Sequence, residues 1–288
     1  MPLPVAEIED LSARQVYDVL ELRNAVAAAS GASPLSDHVV SAVKGHAPGT
    51  HFLQTSDDGL VGYAHLGAAT DPVAELLLVD AGDIAGLLAA VTDAAGSSLR
   101  IWTRGDKAPL NDVLPALGFT PVRTLLQLRR PLGTPALEEP AWPAGISVRT
   151  FRVGIDEEAW LAVNNAAFAG HPEQADWTID DIHAREEEAW FDPAGFFLAT
   201  SDDRIVGFHW TKQHDTRTGE VYVIGVDPSM QGKRLGEALL NHGMRHLHDA
   251  GLSTVLLYVE ADNAGAIGLY ERLGFTRWDA DRLFSKGQ

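Results

Sequence analysis

The stretch "DGLVGYAHL" at 58–66 returns, altered but aligned, as "DRIVGFHWT" at 203–211, a displacement of 145 residues. "AELLLVD" (74–80) and "GEVYVIG" (219–225) repeat at the same displacement, which sets Glu75 opposite Glu220. "ALGFTPVR" (116–123) and "RLGFTRWD" (272–279) repeat at 156. Three matches in one order, two of them in one register, describe a tandem duplication. A duplication constrains the fold to two units of one kind. The 11 extra residues of the second half (156 less 145) fall after the Glu220 strand. There "VDPSMQGKRLG" (226–236) stands opposite the shorter "VDAGDIAGLL" (79–88).

Prolines at 131, 135, 140 and 143 exclude helix and central strand from "PLGTPALEEPAWPAG" and mark 131–145 as a linker. The expected organisation is a first domain over 1–130 and a second over 146–288. Each half reads as mixed α/β. Ser12 and Gln15 form a capping box ahead of an amphipathic helix with Val16, Leu20 and Val26 on one face. "HFLQTS" and "LVGYAHL" read as strands around an Asp-Gly turn. In the second half, "GFFLATSDDRIVGFHWTKQ" is a hairpin around Asp202-Asp203, and "EVYVIGV" is a buried strand. A helix follows with Leu240, Met244 and Leu247 on one face and Gly251 as its cap. "TVLLYVE" is a strand, "NAGAIGLYERLGF" a short helix ending at Gly274, and "TRWDADRLF" the last strand.

With 22 Lys+Arg against 40 Asp+Glu the formal net charge is −18. Most of such a surface repels a polyanion, so nucleic acid is not an expected partner. An anionic cofactor needs a local basic cluster to overcome that field, and "QGKRLG" is one. No cysteine is present, which removes disulfides, thiolate metal sites and a cysteine nucleophile. No apolar run is long enough to span a bilayer, and "MPLPVAEIED" lacks a signal-peptide layout. The expectation is a cytoplasmic protein, a monomer, without a membrane partner. His242 and His246 lie four apart on a helix, but no Glu or third ligand accompanies them, so no metal is expected. Trp160, Trp177, Trp190 and Trp210 read as packing residues.

The chemistry concentrates in the second half. A glycine within the buried strand, Gly225, marks a bulge or the close approach of another backbone. A loop of small and basic residues entering a helix offers free N–H groups and a positive dipole end, which suits a pyrophosphate. Glu220, at the start of that strand, reads equally well as a solvated strand-end charge or as a general base. Tyr270 reads as a core aromatic or as a proton donor.

The loop Gln231-Gly232-Lys233-Arg234-Leu235-Gly236, with Asn263, Ala266, Leu269, Tyr270, Gly274 and Phe275 beyond it, resembles the acetyl-coenzyme A site of the GNAT N-acetyltransferases. "VNNAAFAGHPEQADWT", "EEAWFDPAGFFLA", "GFHWTKQH" and "LLYVEADN" bring the chain closer to one branch, the mycothiol synthase family of actinobacteria. The likeness covers the second half well and the first half weakly. It implies two tandem GNAT domains, each a mixed, mostly antiparallel sheet flanked by helices, the first degenerate. It further implies transfer of acetyl from acetyl-CoA to the cysteinyl amine of desacetylmycothiol, without an acetyl-enzyme.

The resemblance assigns Glu220 as general base and Tyr270 as general acid. To the coenzyme it assigns Ile224, Gly225, Val226, Gln231, Gly232, Lys233, Arg234, Leu235, Gly236 and Glu237. Asn263, Ala264, Gly265, Ala266, Ile267 and Gly268 are assigned to it as well. Contacts with the acceptor fall to Asp37, Glu173, Lys212, Glu220 and Tyr258. Two rival readings stand beside this one. They are a GNAT enzyme for another amine (an aminoglycoside or a protein N-terminus) and a non-catalytic acyl-CoA scaffold. In the first half, Asp80 and Asp83 stand where the loop would be and would repel a pyrophosphate. One acetyl-CoA per chain is therefore expected. Arg234, at a position where the family has glycine, is expected either to adopt a left-handed backbone or to shift the turn.

Overall fold

A computed structural model of the chain describes residues 2–30, 33–69, 71–79, 82–96, 98–171 and 174–286. The first half runs β1 (Val5–Ile8), α1 (Ala13–Ser30), α2 (Asp37–Val43), β2 (Gly49–Ser56), β3 (Gly59–Gly67), β4 (Val73–Leu78), α3 (Ile84–Ala95), β5 (Arg100–Thr103), α4 (Leu110–Ala116) and β6 (Phe119–Pro131). The second runs β7 (Ser147–Thr150), α5 (Glu157–Ala167), α6 (Ile179–Glu186), β8 (Phe196–Ser201), β9 (Arg204–Gln213), β10 (Thr218–Val226), α7 (Leu235–Asp249), β11 (Thr254–Glu260), α8 (Ala264–Arg272) and β12 (Thr276–Lys286). The repeated segments fall on matching elements: β3 with β9, β4 with β10, and β6 with β12.

The residues form two compact units. The first comprises Met1–Leu126 with Glu260–Asp262 and Asp279–Gln288; the second comprises Gln127–Val259 with Asn263–Trp278. The last stretch of the chain thus belongs to the first unit, where Arg282–Ser285 of β12 pair antiparallel with Arg100–Thr103 of β5.

In the first unit β1 to β4 form an antiparallel meander and β4 pairs parallel with β5. Strand alternation divides its core between two faces. Phe52, Ala64 and Leu76 pack with Leu87 and Val91 of α3. Leu53, Tyr63 and Leu77 pack with Val19 and Leu22 of α1 and Val39 of α2. The capping box closes α1 as the sequence indicates: Ser12 N–H donates to Gln15 Oε1 at 2.9 Å.

The second unit repeats the plan, with β7, β8, β9 and β10 antiparallel and β10 parallel to β11. One face carries Leu198, Phe208, Trp210 and Val223 against Trp160 of α5. The other carries Ala199 and Val206 against Leu235 and Leu239 of α7. Trp160 and Trp210 are fully buried. The β8–β9 hairpin turns at Asp202 and Asp203, both with positive φ (49° and 62°). That is the conformation a tight two-residue turn requires, and aspartate tolerates it. Leu240, Met244 and Leu247 are buried on α7, each contributing roughly 1.5–3 kcal/mol of transfer free energy.

Candidate active site

The site begins with a pairing that stops short. Strands β10 and β11 register through three pairs only, ending at Glu220 opposite Leu256, while β10 continues against β9 as far as Val226. The edge of β10 on the β11 side, at Ile224 to Val226, is therefore left without a strand partner among the described residues. A bulge between Val221 and Val223 re-aims β10 just after Glu220. The bulge lies before Gly225. Gly225 itself serves close packing: a Cβ there would stand 2.7 Å from the Phe208 ring. Neither role expected of this glycine, a bulge or another backbone close by, is the one observed: its near neighbours are the side chains of Phe208 and Ala167.

Glu220 is 7% exposed. Its Oε2 lies 2.7 Å from His214 Nε2, so a proton on Nε2 makes the imidazole a donor to the carboxylate. Lys212, opposite Glu220 on β9, is 5% exposed. Its ammonium lies 4.4 Å from the Trp190 ring centroid and 5.2 Å from that of Tyr222, where cation–π attraction offsets part of its lost hydration. Tyr222 also accepts at its hydroxyl from Arg185 Nε of α6, at 3.1 Å.

Tyr270 sits in α8, whose N-cap Asn263 accepts from Ala266 N–H at 3.1 Å. Burial pushes the Tyr270 phenol up to about 12. The hydroxyl is thus fully protonated at neutral pH and equipped to donate. Ala264 to Gly268 form the first turns of the same helix. A Cβ at Gly265 or Gly268 would meet nothing closer than 3.7 Å, so packing within the chain does not demand small residues there.

The loop after β10 is pinned first. Asp227 caps a 3-10 turn over Pro228–Met230 by accepting from Ser229 N–H at 2.9 Å and from its hydroxyl at 2.6 Å. Gly232 follows at φ 75°. Arg234, the N-cap of α7, is left-handed at φ 60° and ψ 16° and makes no side-chain cap. Of the two backbones expected for Arg234, this is the glycine-like one, at a cost of about 1–2 kcal/mol for a residue with a Cβ. Its guanidinium lies 2.5 Å from Glu237 Oε1. The result is a 15-residue helix whose N-cap side chain makes no cap hydrogen bond. Lys233 and Arg234 stand beside that end. These donors fit a pyrophosphate.

The remaining candidates are distributed as follows. Tyr258 is 39% exposed on β11, and its hydroxyl accepts from Gln127 Nε2 at 2.6 Å. Asp37 opens α2 in the first unit. Glu173 lies outside the described residues, as does Asp80. His242 packs its ring against Trp142 and Phe197, and His246 against Phe197. Among the described residues no group of three or more His, Cys, Asp or Glu is placed to hold a metal. No described helix is long and apolar enough to cross a membrane. A cavity of about 630 Å³ opens in the first unit beside Asp10, Lys44, His46 and His51, and none of the residues singled out for chemistry lines it. Sequence reasoning missed His214, Arg185 and the aromatic pair around Lys212. None of them carries a local signal, since their meaning depends on what the sheet places beside them.

Residues 160–275 match the model of the acetyltransferase (GNAT) family. Across nearly its whole length the chain aligns with proteins named mycothiol acetyltransferase. The one from Thermomonospora curvata is 45% identical over 96% of this chain and 95% of its own. That of Streptomyces coelicolor is 45% identical over 98% of this chain and 95% of its own. The chain belongs to the mycothiol acetyltransferase family. As a mycothiol acetyltransferase-type GNAT protein it is an N-acetyltransferase.

Solved structures agree in fold. A GCN5-related N-acetyltransferase from Sphaerobacter thermophilus superposes with a TM-score of 0.74 at 22% identity, covering 99% of this chain and 96% of that one. A tandem GNAT protein of the clavulanic acid biosynthesis pathway gives 0.75 at 18%, covering 99% of both chains. The tandem GNAT architecture is therefore that of the mycothiol acetyltransferase family member described here.

Proposed function

We propose that the chain transfers the acetyl group of acetyl-CoA to the cysteinyl amine of desacetylmycothiol, forming mycothiol. Acetyl-CoA, when bound, supplies a thioester carbonyl activated for attack. Glu220 accepts a proton from the attacking amine, directly or through one water. An α-amine has an ordinary pKa of about 8, so a carboxylate can complete its deprotonation as the bond to carbon forms. N–H groups of the unpaired edge from Ile224 to Val226 hold the carbonyl oxygen and stabilise the negative charge that develops on it. Tyr270 gives its hydroxyl proton to the departing sulfur. The proton lost by the amine and the one gained by the thiol balance, so no acetyl-enzyme is required.

The observation that carries this reading is the run of features along one strand and its exit. A buried carboxylate, an unpaired strand edge and an uncapped helix N-terminus follow one another within Glu220–Leu235. By the family resemblance, the pyrophosphate falls to Gln231–Glu237, and Asn263–Gly268 join the coenzyme's contacts. Lys212 and Tyr258 present fixed polar groups for the sugar, inositol or cysteinyl part of the acceptor. The family resemblance adds Asp37 and Glu173 to the acceptor's contacts. Family membership favours the cysteinyl acceptor over an aminoglycoside or a protein N-terminus.

The test is turnover of acetyl-CoA, followed by mass spectrometry because the acceptor carries its own thiol. Desacetylmycothiol is compared with an aminoglycoside and an N-terminal alanine peptide. A kcat/KM for desacetylmycothiol at least about 100-fold above the others is expected, since a site built on hydrogen bonds rejects ligands that leave them unmade. Equal or higher activity on another amine overturns the acceptor assignment. No turnover with any amine, alongside intact acetyl-CoA binding, returns the scaffold reading.

A further inference from the structure

We propose that His214 is a positioning residue for this site: its Nε2–H fixes Oε2 of Glu220 and leaves Oε1 open toward the acceptor. The inference rests on Glu220 acting as the base. Glu220 is deeply buried, its side chain only 10% exposed. A base has to present one oxygen to the amine in a fixed direction, and a donor on the other oxygen secures that. The His214 ring, 2.7 Å away, is that donor, whether neutral with its proton on Nε2 or fully protonated.

The ring is held in place by its own turn. His214 N–H donates to Thr218 O at 3.0 Å, closing the β9–β10 connection. Inside that turn, Asp215 Oδ1 accepts from Arg217 N–H at 2.7 Å and Thr218 N–H at 2.8 Å. His214 is therefore pre-placed against Glu220 by a backbone with its own hydrogen bonds complete.

Other charged or titratable groups stand on the elements around this strand. Lys212 stands opposite on β9, Tyr222 follows on β10, Arg185 of α6 reaches Tyr222, Tyr258 lies on β11, and Asp215 adjoins His214. Of these groups only His214 makes a hydrogen bond to Glu220, and Oε1 has none among the described residues. The single donor matters. In the first unit the matching Glu75 has Oε1 bonded by Arg104 and Oε2 bonded by both Arg104 and Ser36. Both of its oxygens are thus engaged by donors of its own chain. At the displacement of 145 that aligns the two glutamates, the counterpart of His214 is Ala69, so this donor belongs to the second unit alone.

The test is kcat and KM, with acetyl-CoA and desacetylmycothiol, for the wild type, His214→Ala, His214→Gln and Glu220→Gln. His214→Ala is expected to lower kcat about 10- to 100-fold, with the KM for acetyl-CoA kept within about twofold. His214→Gln keeps an N–H near the Nε2 position, so it should recover most of the rate. Wild-type kcat in His214→Ala overturns the proposal. So do equal losses in His214→Ala and His214→Gln, the mark of a packing role. Near-native turnover in Glu220→Gln sinks the base assignment itself. A slow Glu220→Gln beside a normal His214→Ala sinks only the role of His214.

Discussion

The two units carry the same glutamate on the same strand and surround it with opposite electrostatics. Glu75 pairs with Trp102 and Glu220 with Leu256 in equivalent parallel ladders. Two residues further along the partner strand, the first unit has Arg104 and the second has Tyr258. Arg104 Nη2 lies 2.6 Å from Glu75, and Nη1 lies 2.8 Å from Asp281. Burial pushes the Glu75 carboxyl up, but Arg104 and Ser36 more than reverse it and hold it below the ordinary carboxylate range. Tyr258 offers no such charge, and its hydroxyl is engaged with Gln127.

The helix that follows differs in the same sense. In the first unit Asp83 caps α3 by accepting from Gly86 N–H at 3.1 Å, while Gln54 bonds both the N–H and the C=O of Asp83. That N-terminus already holds an anion from its own chain. In the second unit the N-cap is Arg234, with no side-chain cap. One copy satisfies its polar groups internally, and the other leaves them open to a ligand.

The largest effect should separate the two glutamates. Glu220→Gln and Tyr270→Phe are each expected to lower kcat by about 10²–10⁴-fold, the range for general acid–base groups. Glu75→Gln should leave kcat within a fewfold and lower thermal stability instead. Steady-state rates and melting curves on the three variants decide it; a catalytic loss in Glu75→Gln equal to that in Glu220→Gln would erase the contrast. Next in size, Arg104→Met strands Glu75 and Asp281 without their cation. A cost of about 3–5 kcal/mol is expected from breaking one side of a buried network. Urea unfolding would read it, and the stability of Glu75→Met/Arg104→Met should recover part of the loss.

Acid should weaken both units alike, because each buries a histidine. Burial, helped by neighbouring histidines, depresses His65 and His209 to about 4. Their unfolded-state pKa is about 6.5, so between pH 6.5 and 4 the unfolded chain takes up protons that the native chain refuses. Stability is complete above pH 6.5 and falls through that window, by up to about 3 kcal/mol for each group. Asp156, held at about 2 by Arg149 and Arg152 against its burial, begins to contribute only at lower pH. A urea midpoint that is the same at pH 7.5 and pH 5 would contradict this.

Smaller effects test the helix ends. Calorimetry should find one acetyl-CoA per chain, because Asp83 occupies the N-terminus of α3; two sites of comparable affinity would break the comparison. Arg234→Gly should weaken acetyl-CoA binding a fewfold at low salt and less at high salt, as a charge-assisted phosphate contact is lost. The substitution also relieves the left-handed arginine and frees Glu237. Unchanged or tighter binding at both salt concentrations would mean that Arg234 serves only its pair with Glu237.

Local chemistry made much of this legible in the sequence. Ser12 with Gln15, Asp202 with Asp203, and Asn263 ahead of "AGAIGLY" each complete their hydrogen bonds or backbone geometry within a few residues, so their types announce their roles. The loop 231–236 shows its turn into a helix for the same reason, since that backbone needs no distant partner. Gly225 was misread, because a bulge, a nearby backbone and a side chain packed on the strand all call for glycine; the Phe208 ring decides it here. His214 gave no signal, because its partner is reached across a turn whose geometry the residue types do not reveal. The aromatic surroundings of Lys212 were hidden likewise, with Trp190 arriving from beyond α6 and Tyr222 from the bulge.

By itself, then, the sequence determined the duplication, the two-faced sheets that its alternation requires, and the turn that leads from β10 into α7. All of these follow from periodicity and near-neighbour chemistry. The tertiary structure alone decided that Asp279–Gln288 belongs to the first unit. It alone decided that Asp281 there meets Arg104, 177 residues earlier, and that Arg104 in turn closes off Glu75. A glutamate at the start of a buried strand is the same residue in both halves of the sequence. Whether it is locked in an ion pair with an arginine or meets a histidine instead depends on which side chain the fold brings within 3 Å, and strand register across a sheet is a property of the folded chain.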